Sequence, residues 1–144
     1  SVGYRHAMAS IGDPDLRITF GADTSAPATV RAMLDDWLDH DDPIWYDIAL
    51  AASELVTNAI VHTADGGEFR LWVADDLVRV EVVDRDRRPP RVAEPKGPDG
   101  GFGLRIVAQT SNEWGWYATS DGKIVWAQFV VNRTPEPQTG TARN

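Results

Sequence analysis

The sequence predicts an α+β two-layer α/β sandwich, a mixed, mostly antiparallel sheet with helices on one face. Three observations carry that expectation. Short segments alternate apolar and polar residues, as half-buried strands do. Two longer stretches repeat apolar residues at helical spacing and lie between the first strand and the remaining ones. The other strands come in pairs, without the strand–helix–strand repeats of a doubly wound sheet. The 144 residues, 42% hydrophobic and 25% charged, suit one domain with a core that needs no staples.

Residues 1–14 are expected to form a flexible N-terminal tail, 15–131 the domain, and 132–144 a flexible C-terminal tail rich in Pro and Thr. Leu16, Ile18 and Phe20 alternate with Arg17 and Thr19, which reads as a first strand. Ser25-Ala26-Pro27 is a cap followed by an early-turn proline. After it, Val30, Met33, Leu34, Trp37 and Leu38 recur at helical spacing. Asp42-Pro43 starts a second helix by the same logic, running to His62-Thr63 before Asp65-Gly66-Gly67. Strands follow at Glu68 to Val73 and Leu77 to Val83, with Asp84 closing the latter. From Arg85 to Gly100 the chain is rich in charge, Pro and Gly and has no apolar period, which reads as a functional or mobile loop. Gly100-Gly101-Phe102-Gly103 then leads into a short helix carrying Leu104, Ile106 and Val107. Trp114 to Thr119 and Ile124 to Val131 form a hairpin across Asp121-Gly122, a favoured type I′ pair. Of the tryptophans, Trp37, Trp72, Trp114 and Trp126 read as core and edge filling, with Trp45 and Trp116 as candidates for a partner surface.

Composition removes several function classes. Without cysteine there is no disulfide, thiolate metal site or cysteine nucleophile. A net charge of −8 and no Lys/Arg run speak against direct nucleic-acid binding. No wholly apolar stretch reaches the roughly 18 residues that span a bilayer, and Ser1 to Ser10 lacks the apolar core of a signal peptide, so no membrane role and a cytoplasmic location are expected. His6, His40 and His62 are too dispersed to suggest a metal site.

Three pieces carry chemistry. Glu54 and Asn58 lie four residues apart, on one face of an otherwise apolar helix. Polar groups kept there need a polar partner, because burying them unpaired costs a few kcal/mol. A carboxamide oxygen suits a hard divalent cation, and a neighbouring carboxylate can handle a proton. Asp84 reads as a turn residue, as an ion-pair partner of Arg85, Arg87 or Arg88, or as a carboxylate that accepts from the exocyclic amine of adenine. The Gly101-Phe102-Gly103 turn exposes backbone N–H groups at a helix N-terminus, which suits phosphates. Together the pieces make a coherent adenine-nucleotide site.

These residues resemble the motifs of the GHKL ATPase/kinase superfamily, with its Bergerat nucleotide-binding fold. The likeness is closest to the bacterial anti-sigma-factor serine-protein kinases and their actinobacterial relatives. Glu54-Leu55-Val56-Thr57-Asn58-Ala59 with His62 is similar to the N box, and Val80 to Asp84 to the strand ending in the adenine-binding Asp. Gly101-Phe102-Gly103-Leu104-Arg105-Ile106-Val107 is similar to the second glycine box, and Gly122 to Trp126 to the last hairpin. The resemblance implies ATP and Mg²⁺, with Asn58 as metal ligand, Glu54 as general base, Asp84 on adenine, and Gly101, Gly103, Leu104 and Arg105 on the nucleotide. It implies residues 85–100 as a lid. It also implies a serine/threonine kinase acting on an anti-anti-sigma (STAS-type) partner, a bound sigma factor, and a possible homodimer. The alternative is a non-catalytic partner-switching module that sequesters a sigma factor or other regulator and binds ATP weakly or not at all. Two departures stand out. Asp84 to Pro90 lacks the glycines of the family's first glycine box, and Ile124 stands where relatives often have a Thr that supports adenine.

Overall fold

The predicted alternations become strands of one sheet in the computed structural model, which describes residues 12–90 and 103–131. Among these residues the order is β1 (Leu16–Phe20), α1 (Ala26–Leu34), α2 (Pro43–His62), β2 (Gly67–Val73), β3 (Leu77–Asp84), α3 (Gly103–Thr110), β4 (Glu113–Ala118) and β5 (Lys123–Val130). The sheet runs β1-β2-β3-β5-β4, and every pairing in it is antiparallel. Because β5 returns between β3 and β4, the ends of β3 and β5 lie side by side, with Asp84 opposite Lys123.

Strand alternation decides what faces the helices. Phe69 and Leu71 of β2, Val78, Val80 and Val82 of β3, and Val125, Ala127 and Phe129 of β5 all join the buried core. Opposite them α2 buries Ile48, Ala51, Ala52, Leu55, Val56 and Ala59. The small residues let this helix lie close to the strands, while Val30 and Leu34 of α1 and Leu104 and Val107 of α3 complete the core at either side. By length and composition Pro43–Val61 passes as a membrane span, but here it is the central core helix.

The helix starts differ in mechanism. Asp42 caps α2 as expected, its Oδ1 accepting the Ile44 N–H at 3.0 Å with Pro43 in the first turn. Ser25 makes no side-chain cap on α1; the upstream Asp23 carboxylate instead accepts the Ser25 N–H at 2.9 Å. Helix α1 also stops at Leu34, and the chain turns with the Trp37 N–H on the Leu34 carbonyl. The expected stripe divides: Val30, Leu34 and Leu38 are buried, while Met33 within the helix and Trp37 beyond it are each about 40% exposed. Trp45, a candidate surface residue by sequence, packs in the core.

The β4–β5 connection also departs from expectation. A type I′ pair at Asp121-Gly122 requires positive φ at both residues. Instead residues 119–122 form a four-residue loop between paired Ala118 and Lys123, closed by the Thr119 N–H on the Gly122 carbonyl at 2.9 Å. Gly122 has no positive φ. It is needed because a Cβ would collide with the Asp84 carbonyl oxygen and come within 2.6 Å of the Arg85 Cα. Gly66, by contrast, has φ +72° as well as a backbone crowded by Phe20 and Gly21.

On the sheet face away from the helices a polar ladder crosses four strands. Arg17 donates to Glu68 at 2.9 Å, Arg70 to Glu68 at 2.6 Å, Arg79 to Glu81 at 2.7 Å and Arg79 to Gln128 at 2.7 Å. The Arg79 guanidinium also stands 4.6 Å over the Trp126 ring, which in turn occupies the space a Gly115 Cβ would need. Arg79, Glu81, Trp126 and Gln128 are all buried.

Two outcomes follow for stability. Gly122→Ala should destabilise the domain by about 3 kcal/mol, read as a lower urea midpoint, because backbone rather than a flexible side chain must give way. Arg79→Met should cost about 3 kcal/mol by leaving Glu81 short of its closest cation, whereas the double change Arg79→Met with Glu81→Leu should recover most of that loss. A double-mutant cycle showing simple additivity would contradict this account of the ladder.

Candidate functional site

Helix α2 cannot bury its whole circumference. Ser53, Leu55, Val56 and Ala59 are enclosed, whereas Glu54, Thr57 and Asn58 are half-buried and Val61 is exposed, a stripe at spacings of three and four. Glu54 and Asn58 thus share one face, at the border between core and surface. The Thr57 hydroxyl turns back onto the Ser53 carbonyl at 2.8 Å, which removes it from ligand chemistry. The Asn58 carboxamide forms no hydrogen bond with protein among the described residues, so its oxygen is available as an acceptor. The same helix packs against β3, which ends in Asp84, and against α3, which opens at Gly103.

Asp84 continues the inward parity of Val78, Val80 and Val82, and its side chain is only 2% exposed. Its cation is none of the three neighbouring arginines. Lys123, itself 1% exposed, places Nζ 3.2 Å from Oδ1 and 3.1 Å from Oδ2 of Asp84. The same ammonium donates to the Asp86 carbonyl at 2.9 Å, and the Asp86 N–H donates to Asp84 Oδ1 at 2.8 Å. One buried cation therefore ties the strand-end carboxylate to the root of the loop that follows.

This arrangement corrects the reading of Ile124. By register Ile124 sits opposite Val83, on the sheet face away from the helices, so it cannot stand beside Asp84 on the inner side. The inner-face neighbour is Lys123, which sequence reasoning passed over. Its signal was present: Lys123 shares the parity of Val125, Ala127 and Phe129, so a lysine there demands a buried partner.

The arginines after Asp84 have other tasks. Arg88 binds Asp86 through Nε and Nη2, the latter at 2.6 Å. That guanidinium, helped by the Arg88 backbone N–H, holds the Asp86 carboxyl well below the usual carboxylate range, so the pair stays charged through ordinary acid conditions. Arg87 donates from Nε to the Thr119 carbonyl at 2.9 Å, linking the loop to the β4–β5 turn.

Gly103 opens α3, Leu104 is buried in the core and Arg105 is half-buried on the helix. Gly101 and residues 91–100 of the expected lid lie outside the described residues. A groove of about 360 Å³ lies at the end of β3 between Gly66, Asp84, Arg85 and Asp121, and neither Glu54 nor Asn58 lines it. Helix α2 brings the site pieces onto adjoining elements, but no single described cavity holds them all. Among the described residues no three carboxylates or histidines are grouped to hold a metal. Magnesium shared between one carboxamide oxygen, phosphates and water needs no such group, so the donor set fits a nucleotide-borne cation.

Comparison with known proteins accords with this geometry. A family model described as the histidine kinase-like ATPase domain matches residues 20–129. The crystal structure of the RsbU and RsbW domains of Rv1364c from Mycobacterium tuberculosis is 28% identical, with a TM-score of 0.60, over 79% of this chain. The blue-light activated histidine kinase EL346 of Erythrobacter litoralis is 24% identical, with a TM-score of 0.48, over 81% of this chain. The matches span only 31% and 43% of those two chains. No curated protein matches. The chain belongs to the family of histidine kinase-like ATPase domains.

Proposed function

We propose that this domain binds Mg-ATP and transfers the γ-phosphoryl group to a serine or threonine of a regulatory partner, as an anti-sigma factor of the partner-switching kind. The observation that carries the reading is the half-open stripe of α2, which keeps Glu54 and Asn58 together while the helix packs on both β3 and α3. Family membership supports the ATP, and the likeness to a structure containing an RsbW domain supports the regulatory role. The phosphorylated partner would be an anti-anti-sigma protein and the sequestered one a sigma factor; a homodimer is compatible with this scheme.

Each residue then has a distinct task. Asn58 would offer its side-chain oxygen to Mg²⁺, whose contribution when bound is to neutralise charge on the phosphates. Glu54 would accept the proton of the attacking hydroxyl. Asp84 would accept the exocyclic amine of adenine, and the N-terminus of α3 at Gly103, with Gly101 before it, would face the phosphates. Leu104 anchors that helix in the core, and Arg105, half-buried one residue later, would contact a phosphate of the nucleotide.

One observation favours a second reading, a binding module with weak affinity for ATP: the Asp84 carboxylate is already engaged by Lys123. Calorimetry with Mg-ATP separates the two. The wild type should bind at sub-millimolar concentration, and Asn58→Ala should weaken binding by about tenfold or more. Glu54→Ala should bind ATP nearly as well as the wild type yet lose at least about a hundredfold in transfer rate to a partner. Absence of wild-type binding at millimolar ATP would sink the kinase proposal. Normal binding without phosphorylation of any co-encoded partner would favour the module.

A further inference from the structure

We infer that Lys123 is the specificity-determining positioning residue of the base site, the group that makes Asp84 accept one amine and refuse a carbonyl. The inference rests on the nucleotide reading above and adds a residue and a substrate preference to it. A carboxylate offers about four acceptor directions. At Asp84, Oδ1 accepts from the Asp86 N–H and the Lys123 ammonium, and Oδ2 faces the same ammonium in ion-pair contact at 3.1 Å. Oδ2 is thus the oxygen with acceptor capacity left for a ligand.

The ammonium is committed as well: Nζ donates to Asp84 Oδ1 and to the Asp86 carbonyl and stands in ion-pair contact with Asp84 Oδ2, its side chain only 1% exposed. The pair therefore holds Asp84 charged and oriented, with Oδ2 as the acceptor toward a ligand. A 6-amino purine meets that acceptor with an N–H. A 6-oxo purine sets its carbonyl against the carboxylate, and turning the ammonium toward that carbonyl would loosen its hold on Asp84 and on the Asp86 carbonyl. Two backbone features keep the geometry in place: the Asp84–Lys123 register across β3 and β5, and Gly122, whose missing Cβ lets β5 begin against the Asp84 carbonyl.

Without the ammonium, the carboxylate is held only by the Asp86 N–H and is free to turn, and the Asp86 carbonyl loses its donor. Selection by the 6-substituent should then weaken more than binding itself.

The test compares ATP with ITP, which differ in that substituent and in the proton on the adjoining N1, by calorimetry on wild type, Lys123→Met and Lys123→Gln, with thermal melting read alongside. The wild type should prefer ATP by about a hundredfold or more. Lys123→Met should reduce that preference at least about tenfold, and Lys123→Gln, which keeps one N–H toward Asp84, should fall between. Should Lys123→Met not fold, Lys123→Gln carries the test alone. A purely structural role would weaken both nucleotides together and leave their ratio unchanged, which would overturn the inference. Tighter ATP binding in either variant would also overturn it, by showing the lysine to be a competitor for the carboxylate. Both failures leave ATP binding by the wild type intact, whereas a wild type that binds neither nucleotide overturns the nucleotide reading and this inference with it.

Discussion

Everything in this domain hangs on one helix doing two incompatible things. Helix α2 lies across the middle of the sheet and supplies most of the helical side of the core, so nearly all of its residues must be apolar. It must also keep a carboxylate and a carboxamide in reach of solvent. The conflict is resolved by position: among the described residues the sheet, α1 and α3 pack on the helix, and the stripe they leave holds Glu54 and Asn58 half-buried rather than fully buried. Polar chemistry placed there inherits the rigidity of the central core helix, which is what a site of fixed geometry requires.

The second site element is held by a different force. Asp84 is not at a core border but inside the sheet layer, and a charge in that position persists only when paired and hydrogen-bonded. Lys123 supplies both, from a strand that reaches β3 only because β5 turns back inside β4. The ion pair is thus a consequence of topology as much as of sequence. The outer face of the sheet also carries buried charge: Arg79 pairs with Glu81 along β3 and donates across to the Gln128 side-chain oxygen on β5.

Much of this was legible in the chain before any coordinates. The strands were announced by alternation, α2 by the Asp42-Pro43 start and its unbroken apolar period, and the fold class by the order of the pieces. The misreadings have specific physical causes. Helical periodicity continues past Leu34, but the backbone turns there, so Trp37 surfaces where a longer helix would have carried it on, while Met33 lies within the helix and is exposed all the same. Asp121-Gly122 carries the signature of a tight turn, yet Gly122 is selected by the proximity of Asp84, a contact between residues far apart in sequence. Ile124 was matched to a position beside adenine by its place in a motif. The pleat assigns it to the other face, because a shift of one residue moves a strand side chain from one side of a sheet to the other.

The glycine-free stretch after Asp84 looked like the main obstacle to a nucleotide site, and the described part of it changes the meaning of that obstacle. Glycines in such a loop provide backbone freedom; Arg87 and Arg88 instead provide ties, one to the Thr119 carbonyl and one to Asp86. Asp86 in turn shares Lys123 with Asp84 through its carbonyl. The loop root, the β4–β5 turn and the Asp84 carboxylate are therefore one hydrogen-bonded unit, and a displacement of any one strains the other two. A chain built this way limits the freedom of its loop where the loop leaves the sheet. What it gains is an Asp84 whose orientation is fixed by the protein itself, and under the nucleotide proposal that order would lower the cost of binding.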